Sequence, residues 1–382
     1  MYRFDAMRVL SVFGTRPEAI KMAPVVHALA AAPDIDSRVC VTGQHAEMLA
    51  QVLEVFDITP DRDLAIMRRG QTLTHVTTAV LDGMAGVLAD EKPDALLVHG
   101  DTTTSMASAL AGFYAGVPVG HVEAGLRTHD LTAPWPEEAN RQITGRLAKW
   151  HFAPTSRAQA NLLAEAVPKA AIHVTGNTVI DALQHITERV LPGREAEMAR
   201  LFPWRDQTRR LILVTGHRRE SFDGGLEAMC AALARLASRG DAQVCYPVHL
   251  NPLVRAAADK VLGNAANVHL TAPQSYLPFV WLMREAHLVI TDSGGIQEEA
   301  PSLGKPVLVT RTVTERPEAV DAGTVLLVGT DTDRIEAEAT RLLDDDTAHY
   351  SMSRAHNPYG DGAASNRIVR ILTGDSPMKG LA

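Results

Sequence analysis

The sequence predicts an α/β fold built as two doubly wound domains. Short apolar, β-branched runs alternate with segments of helical periodicity along the whole chain, the pattern that parallel sheets covered by helices require. Several of these runs end in glycine-containing polar turns, the position at which open parallel sheets bind ligands. A chain of 382 residues with 46% hydrophobic and 21% charged residues is long enough for two separate cores.

In chain order, residues 9–13 read as a strand and Gly14-Thr15-Arg16-Pro17 as a turn. A helix from Glu18 to about Ala32 then accommodates proline in its first turn. Arg16 at the turn and Lys21 one helical turn later place two cations at a helix N-terminus, an arrangement suited to a diphosphate. A strand at 37–42, the turn Gly43-Gln44-His45, a helix to about Phe56 and a long helix over 71–90 follow. The strand 95–98 leads into His99-Gly100-Asp101-Thr102-Thr103-Thr104, and the strand 117–122 into Glu123-Ala124-Gly125-Leu126-Arg127-Thr128. Asp101 and Glu123 therefore share the carboxyl edge of a parallel sheet. A simple N-cap of the next helix accounts equally well for Asp101. Pro134-Trp135-Pro136-Glu137-Glu138 brings a third acid to a helix start, where the helix dipole alone would also favour it. Trp135, between two prolines, reads as a packing residue.

Strands at 151–153 and 173–174 and a helix over 178–190 continue the alternation. Leu191-Pro192-Gly193 and the charged run to Arg210 form the most linker-like stretch, with a hinge near Gly176 as the equal alternative. The second half repeats the architecture. Residues 211–214 lead into Thr215-Gly216-His217-Arg218-Arg219-Glu220, and 243–247 into Val248-His249-Leu250-Asn251-Pro252. Residues 287–291 lead into Asp292-Ser293-Gly294-Gly295-Ile296-Gln297-Glu298-Glu299. That last junction is built to hold an anion. Unpaired N–H groups and the positive end of the helix dipole converge there, and two glycines admit a diphosphate. Glu298 and Glu299 are able to accept hydrogen bonds from ribose hydroxyls, although acids in a first helical turn are favoured by the dipole anyway. After the strand 307–310 comes Arg311-Thr312-Val313-Thr314-Glu315-Arg316-Pro317-Glu318, and the last helices span 332–343 and 363–372.

A net charge of −8 argues against a nucleic-acid partner, and no run reaches the roughly 18 apolar residues of a membrane span. The start of the chain lacks a signal-peptide apolar region. Cys40, Cys230 and Cys245 are scattered without metal spacing and read as core residues of a cytoplasmic protein. There is no G-x-G-x-x-G, so no dinucleotide cofactor is expected, and Ser302-Leu303-Gly304-Lys305-Pro306 lacks the flanking residues of a P-loop. No metal motif is present; Asp331-Thr332-Asp333 reads as helix capping.

Seven ordered motifs carry a resemblance. They are Gly14-Thr15-Arg16-Pro17-Glu18-Ala19-Ile20-Lys21, His99-Gly100-Asp101-Thr102-Thr103, His121-Val122-Glu123-Ala124-Gly125-Leu126-Arg127-Thr128 and Pro134-Trp135-Pro136-Glu137-Glu138-Ala139-Asn140-Arg141, with Gly216-His217-Arg218-Arg219-Glu220, Ser293-Gly294-Gly295-Ile296-Gln297-Glu298-Glu299 and Thr314-Glu315-Arg316-Pro317-Glu318. In this order and spacing the chain resembles the non-hydrolysing bacterial UDP-N-acetylglucosamine 2-epimerases from Val9 to the final helix. The resemblance implies the GT-B architecture: two doubly wound Rossmann-like domains facing across a cleft, 1–176 with 363–382 and 177–362, the last helix crossing back onto the first domain.

The resemblance also implies reversible inversion at C2, with UDP-N-acetylglucosamine and UDP-N-acetylmannosamine as partners, no cofactor, and a homodimer. By the same resemblance Asp101, Glu123 and Glu137 match catalytic carboxylates and His217 an active-site histidine. Arg16 and Lys21 match residues near diphosphate and sugar. Ser293, Gly294 and Gly295 match the phosphate site, Glu299 the ribose site, and Arg316 a substrate contact. Which carboxylate removes the proton stays open. Gln44 and His249 match positions tied, in some members, to a second, activating UDP-N-acetylglucosamine, whereas Glu47 and Gly70 stand where regulated members carry Gln and Arg. The competing readings are a GT-B glycosyltransferase with a UDP-sugar donor, an epimerase of a related UDP-diacetamido sugar, and a catalytically silent UDP-sugar-binding protein.

Overall fold

A computed structural model describes residues 6–43, 46–68, 70–216 and 224–374. The chain divides into two compact units, Met1–Ala182 with Tyr359–Ala382, and Leu183–Pro358.

The first unit contains seven strands: β1 (Met7–Phe13), β2 (Ile35–Val41), β3 (Arg62–Asp63), β4 (Ala95–His99), β5 (Val119–Val122), β6 (Trp150–Ala153) and β7 (Ile172–Val174). They pair in parallel in the order β3-β2-β1-β4-β5-β6-β7. Val9, Leu10, Val12, Phe13, Leu96, Leu97 and Val98 are fully buried, as strands covered on both faces require. The strand order reverses between β1 and β4, so the loops leaving their carboxyl ends diverge and open a crevice. The helix Arg16–Ala31 starts there with a capping box of Thr15 and Glu18. Glu18 also stitches two loops together: one carboxylate oxygen accepts from the N–H groups of Gly14 (3.0 Å) and Thr15 (2.7 Å), the other from the hydroxyls of Thr102 (2.5 Å) and Ser105 (2.8 Å). The final helix, Ala364–Leu372, packs against Arg16–Ala31.

The second unit repeats the topology with β8 (Arg210–Thr215), β9 (Ala242–Pro247), β10 (Val268–Thr271), β11 (Ala286–Thr291), β12 (Val307–Val309) and β13 (Val325–Leu327). The order is β10-β9-β8-β11-β12-β13, all parallel, and the reversal falls between β8 and β11. Its core includes Ile212, Val214, Leu233, Val244, Leu288 and Ile290, all fully buried.

Two local expectations need correction. The linker-like run 191–210 is packed into the second unit. Leu191 and Met198 are fully buried and the Phe202 ring stacks on Trp281 at 5.3 Å. Its charges look solvated in the sequence, yet Glu195 accepts from Trp281 Nε1 (3.0 Å) and from both terminal nitrogens of Arg284 (2.7 and 2.9 Å). The division between units falls inside the helix Thr178–His185, where Asp181 accepts from the backbone N–H groups of Ala364 (3.3 Å) and Ser365 (2.8 Å). Trp135, read as a packing residue, stands 68% exposed.

The three cysteines are buried, and desolvation pushes each thiol up to about 12. Asp331 caps the helix Thr332–Asp344, its side chain accepting from Arg334 N–H at 2.8 Å. Among the described residues, no helix is long and apolar enough to cross a membrane.

Candidate functional site

The carboxyl ends of β1, β4 and β5 bring together Lys21, Asp101 and Glu123. Glu123 follows β5 directly and holds a positive φ of 62°, a conformation that costs a non-glycine residue about 1 kcal/mol and persists only where the surroundings impose it. Among the described residues, Lys21, Asn177 and His99 lie against its carboxylate. Lys21 Nζ forms an ion pair with Oε1, and Asn177 Nδ2 donates to the same oxygen at 3.0 Å. His99 Nε2 lies 3.6 Å from Oε2. Burial pushes the His99 pKa down to about 4, so the imidazole is neutral near pH 7 and lends no charge. His121, on β5, donates from Nε2 to the Gly100 carbonyl at 2.7 Å and so ties the β4 loop to its neighbour.

Asp101 is not the N-cap of the following helix, Thr103–Tyr114. Thr102 caps it, its hydroxyl accepting from Ser105 N–H at 3.1 Å. The Asp101 side chain is thereby left for other work, and Arg141 Nη2 meets its Oδ2 at 2.5 Å while Asn140 Nδ2 donates to its carbonyl at 2.9 Å. Burial raises the Asp101 pKa; Arg141 opposes that rise, and the neighbouring charge of Glu123 adds to it.

The two adjacent glutamates that open the helix Glu137–Leu147 have different surroundings. Glu138 is fully buried and accepts from the backbone N–H groups of Thr128 (3.0 Å) and His129 (3.1 Å), from Gln142 Nε2 (2.9 Å) and from Arg141 Nη1 (3.2 Å). It is an internal anchor for the loop and for Arg141. Glu137 keeps partial exposure.

In the second unit, β11 ends at Thr291, whose hydroxyl accepts from Ser293 N–H at 2.9 Å and turns the chain into the short helix Gly294–Glu299. Ser293 makes no side-chain capping bond, so its hydroxyl is not spent on the helix end. Arg316 ion-pairs through Nε with Glu298, and a Cβ placed on Gly294 would lie 3.9 Å from the Arg316 guanidinium. A guanidinium beside a helix start with two glycines is an anion-binding arrangement. Glu298 is 2% exposed and committed to that ion pair, whereas Glu299 is only partly buried and its carboxylate lies near Gly295, 3.6 Å from where a Cβ there would be. Gln297 and Thr314 brace the pair of loops: Thr314 Oγ1 donates to Gln297 Oε1 at 2.6 Å, and Gln297 Nε2 to the Ser293 carbonyl at 3.1 Å.

His217 and Gln44 lie outside the described residues. The carbonyl of Gly216, the last described residue before His217, accepts from the Tyr246 hydroxyl at 2.8 Å. His249 is exposed, and its Nδ1 accepts from Asn251 N–H at 3.1 Å.

A family model described as UDP-N-acetylglucosamine 2-epimerase matches residues 27–373. The chain belongs to the UDP-N-acetylglucosamine 2-epimerase family. It is 61% identical to the UDP-N-acetylglucosamine 2-epimerase of Yersinia pestis over 96% of this chain and 98% of that protein. With the enzyme of the same name from Escherichia coli K12 the identity is 60%, over the same shares of the two chains. The crystal structure of the Neisseria meningitidis UDP-GlcNAc 2-epimerase bound to UDP-GlcNAc superposes with a TM-score of 0.88 at 50% identity, covering 96% of this chain and all of that one.

For this epimerase-family chain, sequence reasoning passed over Arg141, Glu138 and Asn177 as contributors to the site. Arg141 and Glu138 lie inside the Pro134-to-Arg141 motif, but a buried Glu138–Arg141 pair spaced three residues apart looks the same in sequence as a solvated helical one. Asn177 lies in none of the seven motifs.

The buried histidines of the first unit also predict an acid limit to stability. Burial holds His99 near 4, His121 near 3 and His151 near 4. An unfolded histidine titrates near 6.5, so the unfolded chain takes up protons first as the pH falls. The stabilising contribution of each is complete above about pH 6.5 and is lost from there down, at roughly 1 kcal/mol per pH unit per histidine. Asp101 and Asp181, whose pKa values burial raises, act in the opposite direction on fewer groups. Melting temperature should fall steeply between pH 6.5 and pH 4.5 in a fluorimetric series; a flat profile across that interval contradicts this account.

Proposed function

We propose that the chain interconverts UDP-N-acetylglucosamine and UDP-N-acetylmannosamine by eliminating UDP across C1–C2 and adding it back. The observation that carries this reading is the pairing of two carboxylates with separate cations at the edge of one sheet, Glu123 with Lys21 and Asp101 with Arg141. The C2 proton of the sugar has no adjacent carbonyl to acidify it, so simple deprotonation and return is unfavourable. Elimination avoids a free carbanion. A carboxylate takes the C2 proton, the C2–H electron pair forms the C1=C2 bond of a 2-acetamidoglucal, and the C1–oxygen bond breaks to release UDP. A second acid then protonates C2 from the opposite face while UDP attacks C1. Because the reaction is reversible, each group serves as base in one direction and as acid in the other.

Asp101, Glu123 and Glu137 are assigned to these proton transfers, with His217 as a further active-site group. Arg16 and Lys21 are assigned to the charge that develops on the departing diphosphate. In the second unit, Ser293, Gly294 and Gly295 are assigned to the phosphates, Glu299 to the ribose hydroxyls and Arg316 to substrate anion. The proposal extends to a homodimer acting in the cytoplasm without a cofactor.

Proton NMR of the purified chain with UDP-N-acetylglucosamine in D2O, without added metal, cofactor or acceptor, tests this. The expected result is the manno epimer with deuterium at C2 and UDP attached. Free N-acetylmannosamine with UDP would replace the reading by a hydrolysing one, and absence of both exchange and turnover would overturn it.

A further inference from the structure

The segment Gly176-Asn177-Thr178, where the chain approaches the division between the units, carries an interaction that no motif announced. Asn177 is 3% exposed and each of its polar side-chain atoms has a defined partner. Its Oδ1 accepts from Val179 N–H at 3.0 Å, which fixes the amide orientation and directs Nδ2 to Glu123 Oε1 at 3.0 Å. Its own N–H donates to the Tyr359 carbonyl at 2.7 Å, on the stretch where the chain returns to the first unit. The two crossings press together as backbone: a Cβ on Gly360 would meet Gly176 Cα at 3.3 Å and Asn177 N at 3.5 Å. Gly176 and Gly360 both hold positive φ, 89° and 133°, a conformation that disfavours side chains there. Asn177 is therefore held from both sides while its amide reaches the carboxylate.

On the reading of Glu123 as an acid–base group, we infer that Asn177 is the positioning residue that orients the Glu123 carboxylate by anchoring Oε1. Oε1 receives both the Lys21 ammonium and the Asn177 amide, and Oε2 is turned the other way, 3.6 Å from the neutral His99. Oε1 is therefore the anchored atom. Lys21 alone would not do this, because an ammonium on a flexible stem is a point charge that tolerates many carboxylate orientations, whereas a planar amide held by Val179 tolerates few. Among the described residues, the charged and titratable groups facing Glu123 include Lys21 from the first helix, His99 at the end of β4 and Asp101 in the loop beyond it.

Two variants test the assignment. Asn177→Ser keeps an oxygen for Val179 N–H, since serine serves well at a helix start, but cannot reach Glu123. Its kcat for epimerisation should fall about tenfold or more with KM within twofold. Loss of a donor makes the ionised carboxylate less favourable, so the acid limb of kcat/KM should move upward by about one pH unit, the size of one hydrogen bond to a charged group. Asn177→Asp keeps the size of the side chain and replaces the donor by a second negative charge, so its limb should move further in the same direction. Wild-type kcat and an unmoved limb in a folded Asn177→Ser protein would overturn the proposal. Failure of both variants to fold would assign Asn177 to stability alone and overturn it equally. The wild-type chain in the deuterium experiment reads the reaction itself, so failure there is distinguishable from failure here.

Discussion

Glu123→Gln and Asp101→Asn should each reduce epimerisation by about 10²- to 10⁴-fold while UDP binding changes only a few-fold. Each substitution preserves size and removes only the ability to carry a proton. In Glu123→Gln, Lys21 and Asn177 lose a charged acceptor in a buried place, so a fall of a few degrees in melting temperature accompanies the loss. In Asp101→Asn, Arg141 keeps Glu138 as a partner and the helix keeps Thr102 as its cap, so the fold should be nearly unaffected. Steady-state kinetics, C2 deuterium exchange and calorimetric titration with UDP separate the outcomes. A variant with wild-type turnover would remove that carboxylate from the reaction. Loss of UDP binding along with activity would instead make the residue structural.

The largest effect on stability is expected from Gly125→Ala. A Cβ at Gly125 would lie 2.3 Å from the Ala158 carbonyl oxygen and 2.9 Å from its carbon. Gly125 has a φ of 91°, which side chains rarely adopt, and its own carbonyl accepts from Asn161 Nδ2 at 2.9 Å. The obstruction is backbone, in the helix Ser156–Ala164, so no rotamer change relieves it. The expected cost is about 3 kcal/mol or more, combining overpacking with backbone strain. For a unit of this size that corresponds to roughly 10 °C in melting temperature. Gly193→Ala is the control: nothing lies within 4 Å of its Cβ, and the change should be almost silent. A melting temperature for Gly125→Ala within about 2 °C of wild type would contradict the close approach. Because Gly125 stands two residues beyond Glu123, a folded remnant should also be slow in catalysis.

Architecture was legible in the sequence because its signals are local. Apolar runs of strand length, glycines after them and helix starts next to those glycines occur within a dozen residues, and each reports on the backbone of its own segment. The junctions at Gly14, Gly100 and Gly294 stand where the reading put them, and Asp101, Glu123 and Ser293 follow the carboxyl ends of their strands. Reading failed where one residue type serves two environments. The charges of 191–210 resembled a solvated linker because Arg284, the partner of Glu195, is 89 residues away. Of two adjacent glutamates, only the fold shows that Glu138 is buried and occupied while Glu137 is not fully enclosed.

The sequence by itself thus determined the α/β class, the strand-end position of the acids and cations, and the family to which their spacing belongs. Tertiary structure decided which groups those acids meet. Lys21 reaches Glu123 across 102 residues, Asn177 reaches it across 54, and Arg141 reaches Asp101 across 40. A strand's hydrophobic pattern depends on its neighbours along the chain, but the ionisation and orientation of a carboxylate depend on its neighbours in space. Those are set only when the parallel strands take their order in the sheet.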